Sequence, residues 1–116
     1  MKENIVAEKS FKFSVSIVRL YQTLVNDKKE FVLAKQILRS GTSIGANIEE
    51  AVGGISEKDF VAKMGIAYKE ACETRYWLRL LHATEYLTDD QFNKLMENCE
   101  ELLKLLYTII NTTKNK

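Results

Sequence analysis

The chain contains no proline and only five glycines among its 116 residues. Proline lacks the amide that an interior helical turn needs, so a chain without it carries no obligatory helix break. Few segments alternate with the period of a half-buried strand, and an all-α class follows. Nor is there an apolar run near the roughly 18 to 20 residues needed to cross a bilayer, and the opening Met-Lys-Glu-Asn-Ile lacks the apolar core of a secretory signal. No membrane partner is therefore expected, and a cytoplasmic location is. Charge of one sign is missing too: 17 Lys and Arg against 16 Asp and Glu leave a net +1, which excludes a chain-wide pull toward nucleic acid. Cys72 and Cys99 fall inside helical patterns without metal-ligand spacing and read as buried reduced thiols. A single histidine excludes the paired Glu-x-x-His arrangement of di-metal carboxylate centres, so no cofactor is expected.

What is present reads as one domain over residues 1–116, since 46% of the chain is hydrophobic and 28% charged. Helix starts are marked where a side chain can accept the first free amides and a partner three residues on can return the bond. Asp27 with Glu30, Ser56 with Asp59, and Thr88 with Gln91 have that spacing. Ile55 before Phe60 and Leu87 before Phe92 could add hydrophobic staples. An earlier helix is required by Phe13, Ile17, Leu20, Tyr21, Leu24 and Val25, which recur every three or four residues. Gly53 and Gly54 stop the second helix. The expected helices span about 7–26, 28–52, 57–85 and 89–112. Joined by short connections, they must fold back as an antiparallel up-down-up-down four-helix bundle.

Some residues exceed what one bundle needs. Phe11, Val15 and Val18 lie outside the first helix's main stripe, and Met96, Leu103, Leu105 and Ile110 widen the fourth. Apolar surface in excess predicts a homo-oligomer. Gly41 and Gly45 interrupt an otherwise helical rhythm and predict a close helix contact; a phosphate loop would need a preceding strand and a different glycine pattern. Asn47, Glu50 and Glu73 fall near apolar seams, where a polar network across the bundle could fix register. Lys12, Arg19, Lys28, Lys29, Lys35 and Arg39 lie on or between the first two helices, as a local stripe that could contact the phosphates of RNA or DNA. Repetition of that stripe around an oligomer would multiply a weak site.

His82 follows Arg75 by seven residues, a spacing that resembles the Arg-x6-His motif of the HEPN ribonuclease superfamily, whose members pair the two across a dimer to cleave RNA. Tyr76 stands where those motifs usually place a polar residue. A broader resemblance rests on Gln36-Ile37-Leu38-Arg39-Ser40, Ser43-Ile44 and Asn47-Ile48-Glu49-Glu50, continued by Ser56-Glu57-Lys58-Asp59-Phe60, Ile66-Ala67, Glu73 and Leu78. These resemble the bacterial four-helix-bundle proteins first associated with intervening sequences in 23S ribosomal RNA genes. The accessory protein of diversity-generating retroelements, which binds nucleic acid through a basic outer surface, is a relative of that family. The resemblance implies a left-handed bundle, a homopentameric ring and no catalytic residues. The expected function is a non-enzymatic oligomeric scaffold that could bind RNA or DNA. The alternatives are a HEPN-like ribonuclease and a protein-partner module, and no small-molecule substrate is indicated.

Overall fold

The computed structural model describes residues 2–116, with side chains from Glu3 onward. Its elements are α1 (Lys2–Asn26), α2 (Val32–Val52), α3 (Glu57–Ala83) and α4 (Asp89–Lys114), and no strand occurs among the described residues. Each helix packs on its two neighbours in a cycle, α2 most extensively on α3, while α1 and α4 meet least. The result is a rod of 46 × 21 × 19 Å, the four-helix bundle that the spacing of apolar residues requires. Phe13, Ile17 and Leu24 of α1, Ile37, Ile44 and Ile48 of α2, Met64 and Leu78 of α3, and Leu102 and Leu106 of α4 fill its axis.

Two helix starts are as expected from capping chemistry. Thr88 and Gln91 exchange both bonds of a capping box at the head of α4, and Ser56 Oγ accepts from the Asp59 amide at 3.0 Å at the head of α3. The α3 box is half-formed. Its Asp59 carboxylate leans on Gly54, where an added Cβ would come within 2.6 Å of Oδ2. The Ile55 staple does not form, for Ile55 sits on the Gly53-Gly54 turn with 98% of its surface in solvent. Leu87 is buried, and Phe92 packs against the core.

The second helix begins at Val32 rather than 28, and the Asp27–Glu30 box is absent. The amides of Asp27 and Lys28 bond back to Thr23, and that of Glu30 to Leu24, so this stretch finishes α1 and cannot also start α2. Lys29 turns the chain in the left-handed region at φ 56°, and Glu30 Oε1 instead accepts from the Ala34 amide at 2.9 Å. The third helix ends at Ala83, two residues early, in a Schellman turn: Tyr86 N–H donates to Leu81, Glu85 N–H donates to His82, and Glu85 takes φ 70° where glycine is usual. α1 starts earlier than 7 because Val6 and Ser10 are buried in phase with the core stripe. α4 runs two residues beyond 112, with Thr113 buried and its hydroxyl on the Ile109 carbonyl.

Gly41 and Gly45 lie within an uninterrupted α2, in close contact with α1. A Cβ at Gly41 would stand 2.8 Å from two Ile17 carbons, and one at Gly45 would stand 3.2 Å from Ser14 Oγ. The two glycines thus set how near α1 and α2 approach.

Candidate interaction surfaces

Phe11, Val15 and Val18 recur at i, i+4 and i+7 on the face of α1 turned away from the core, 65%, 39% and 39% exposed. With Ser14, Arg19 and Gln22 they line a shallow groove along the outside of the helix. The wide arc of α4 is different. Leu103 is buried within the bundle, and Met96, Leu105 and Ile110 are half-buried against the core, so the excess expected there is absorbed inside one chain. On the outside of α3, Ile66 and Tyr76 are exposed, and Gly65, next to Ile66, faces open space.

The six basic residues do not form one stripe. Lys12 pairs with Glu8 at 3.2 Å on its own helix. Lys28 and Lys29 stand exposed in the α1–α2 turn, with exposed Lys35 on the first turn of α2. Lys12 lies about 21 Å down α1 from that turn, at about 1.5 Å per residue. Arg39 is tied across to α3 while still half in water: it meets Glu70 at 3.2 Å and also pairs with Glu73, so two carboxylates share its charge. Arg19 is exposed and borders two grooves.

Nor do Asn47, Glu50 and Glu73 join in one network. Asn47 Nδ2 donates to the Ser43 carbonyl of its own helix at 2.8 Å. Exposed Glu50 reaches Lys63 of α3 at 3.0 Å, and the hydrogen bond and charge of Glu50 hold the Lys63 ammonium above its ordinary pKa. Glu73 accepts from Arg39 and, at 2.9 Å, from Trp77 Nε1. Sequence reasoning missed Glu70, although its three-residue spacing from Glu73 puts both carboxylates on one side of α3. It also missed the buried pair beneath this clamp, where Thr74 Oγ1 lies 2.9 Å from Ser40 Oγ and 2.8 Å from the Glu70 carbonyl.

His82 and Arg75 lie on the same side of α3, toward α4, but His82 is engaged there. Its Nε2 lies 2.7 Å from Asp89 Oδ1, and its ring stacks on Phe92 at 4.0 Å and 9°. Arg75 instead borders an α3–α4 groove with Tyr68, Glu100 and Tyr107. Cys99 is fully buried, its Sγ against the Ala71 carbonyl, and burial pushes the thiol up to about 12; half-buried Cys72 is also free. No group of three His, Cys, Asp or Glu among the described residues converges on a metal position, and no helix is long and apolar enough to cross a membrane.

Between α1 and α4 lies a groove of about 280 Å³ lined by Ser16, Arg19, Leu20 and Thr23 from one helix and Gln91, Lys94, Leu95 and Asn98 from the other.

The chain is similar to a solved crystal structure of a protein of unknown function from the S23 ribosomal protein family of Bacteroides thetaiotaomicron VPI-5482. The two are 56% identical over 96% of this chain and 99% of that one, with a TM-score of 0.94. No curated protein matches. The family model described as 23S rRNA-intervening sequence protein matches residues 2–108, nearly the whole bundle from α1 into the last turns of α4. With α1, α2, α3 and most of α4 inside the matched region, the chain belongs to the 23S rRNA-intervening sequence protein family.

Proposed function

We propose that this protein is a non-enzymatic, cytoplasmic scaffold that works as a ring of five identical copies. The observation that carries the reading is the apolar stripe Phe11-Val15-Val18, which stands opposite the core on a bundle whose interior is already filled. Such a stripe costs free energy in water and is offset when another surface covers it. A stripe meeting its own copy would close a two-fold dimer, whereas a ring needs a second, different surface on the next subunit. The outer face of α3, with Ile66 and Tyr76 exposed, offers that counter-surface. The copy number five follows from family resemblance. Replacing Phe11→Glu together with Val15→Glu tests the contact: the variant is expected to keep its helical circular dichroism and to sediment as a monomer. Unchanged assembly in that variant would remove the stripe from the interface.

A nucleic-acid role is supported by a narrower observation than the expected stripe of six. Lys28, Lys29 and Lys35 gather at one end of the bundle, all exposed and none in an ion pair among the described residues. Five such clusters on one ring would combine three weak phosphate contacts each into usable avidity for RNA or DNA.

A further inference from the structure

The α1–α4 groove holds an electrostatic imbalance of its own. Arg19 enters it from α1 and Lys94 from α4, and no carboxylate lines it. Neither cation has an ion-pair partner among the described residues, although lower on the same seam Lys9 meets Glu101 at 3.3 Å. Two cations converging on one groove repel each other, and an anion between them reverses the sign of that interaction. Acidic residues are not scarce nearby: Asp89 heads the same helix, but its carboxylate is held by His82.

The remaining lining is donor-rich. Gln91 Oε1 is committed to the Thr88 amide at 2.9 Å, which leaves the NH2 of Gln91 as the group free to bond in the groove. Gln91, Lys94 and Asn98 repeat at i, i+3 and i+7, so the three share one face of α4 over its first turns. Thr23, one turn after Arg19, supplies a hydroxyl from the facing helix. Leu20 and Leu95, both buried, form its floor.

We infer that this groove is a binding site for a phosphate group, gripped between Arg19 and Lys94 and oriented by the amides of Gln91 and Asn98. A guanidinium takes two oxygens of a tetrahedral anion in parallel, an ammonium adds a compact second charge, and carboxamide donors fill the remaining directions. The same chemistry serves a free phosphate or the phosphodiester of an oligonucleotide. The site goes beyond the ring and the Lys28 cluster: Lys94 belongs to neither.

Calorimetric titration and thermal unfolding of the full chain with inorganic phosphate test it. Potassium chloride at matched ionic strength is the reference, and a ten-nucleotide single-stranded RNA is a second arm. Phosphate is expected to bind saturably and to raise Tm beyond chloride, with Arg19→Gln and Lys94→Gln each weakening phosphate by about tenfold or more, and with Lys94→Gln, which lies away from the Phe11-Val15-Val18 groove, leaving the assembled mass unchanged. An RNA that competes with phosphate and loses affinity in both variants assigns the site to phosphodiesters. An RNA that does not compete assigns it to free phosphate. Lys28→Glu with Lys35→Glu leaves phosphate binding intact, so loss of the end cluster's role and loss of the groove are told apart. A phosphate response no different from chloride, or one that persists in the Arg19→Gln/Lys94→Gln double variant, overturns the assignment.

Discussion

Thr74 of α3 and Ser40 of α2 meet hydroxyl to hydroxyl at 2.9 Å, both fully buried, in a mainly apolar interior. Each hydroxyl has one proton, so Thr74 donates to the Glu70 carbonyl at 2.8 Å and Ser40 donates to Thr74. Thr74→Val keeps the shape but strands the Ser40 proton, and is expected to cost about 1–3 kcal/mol. Thr74→Val with Ser40→Ala should cost less than the sum of the single changes, because the second removes the stranded group. Urea unfolding of the four proteins of this cycle measures the difference.

The glycine contact between α1 and α2 is the next point of strain. Gly41→Ala would press a methyl to 2.8 Å from two Ile17 carbons that belong to a buried side chain. Overpacking of this kind costs about 1–3 kcal/mol, more than the roughly 1 kcal/mol that alanine gains over glycine in a helix. A lower Tm is expected. Glu85→Gly should act in the other direction, raising stability by about 0.5–1 kcal/mol, since Glu85 holds the left-handed position of the α3 Schellman turn.

Cys99 makes stability depend on alkaline pH. Burial pushes its thiol up to about 12 from an ordinary 9.0, so the folded protein retains a proton that the unfolded chain releases. Its contribution is present in full below pH 9.0 and is lost as pH rises from there toward about 12. Equilibrium unfolding across that range should show a fall that is smaller in Cys99→Ala. In the native protein at neutral pH, a thiol reagent should modify Cys72 well before Cys99.

Arg39 and Lys35 sit one helical turn apart but are expected to fail differently. Arg39→Gln breaks a clamp to Glu70 and Glu73 that is partly open to water, and should lower stability by up to about 1 kcal/mol with no change in nucleic-acid affinity. Lys28→Glu with Lys35→Glu should leave Tm nearly unchanged while weakening RNA binding and flattening its salt dependence. Binding that ignores salt, in the unaltered protein, would remove the end cluster as a phosphate surface.

Local chemistry was the legible part of this chain. Thr88 and Gln91 announce a helix start because all the atoms involved lie within four residues. The start of α2 was illegible for the opposite reason: the amides of Lys28 and Glu30 are spent on carbonyls of Thr23 and Leu24, and the spacing of side chains carries no sign of that. Arg39 read as a solvent-facing cation until the fold brought Glu70, 31 residues away, against it. Leu103 read as surplus, yet its position beside Cys99 and Leu106 lets the bundle enclose it. Lys94 was not singled out at all, for it stands near Asp89, Asp90 and Glu97 in the chain, and only the pairing of α4 with α1 puts it in one groove with Arg19.

The mass of the unaltered protein in solution bears most directly on the proposed ring. Multi-angle light scattering at micromolar concentration should give a single species near five times the 13.3 kDa chain, falling to one chain in Phe11→Glu/Val15→Glu. A mass of 13.3 kDa for the unaltered protein, or a dimer of twice that, would contradict it.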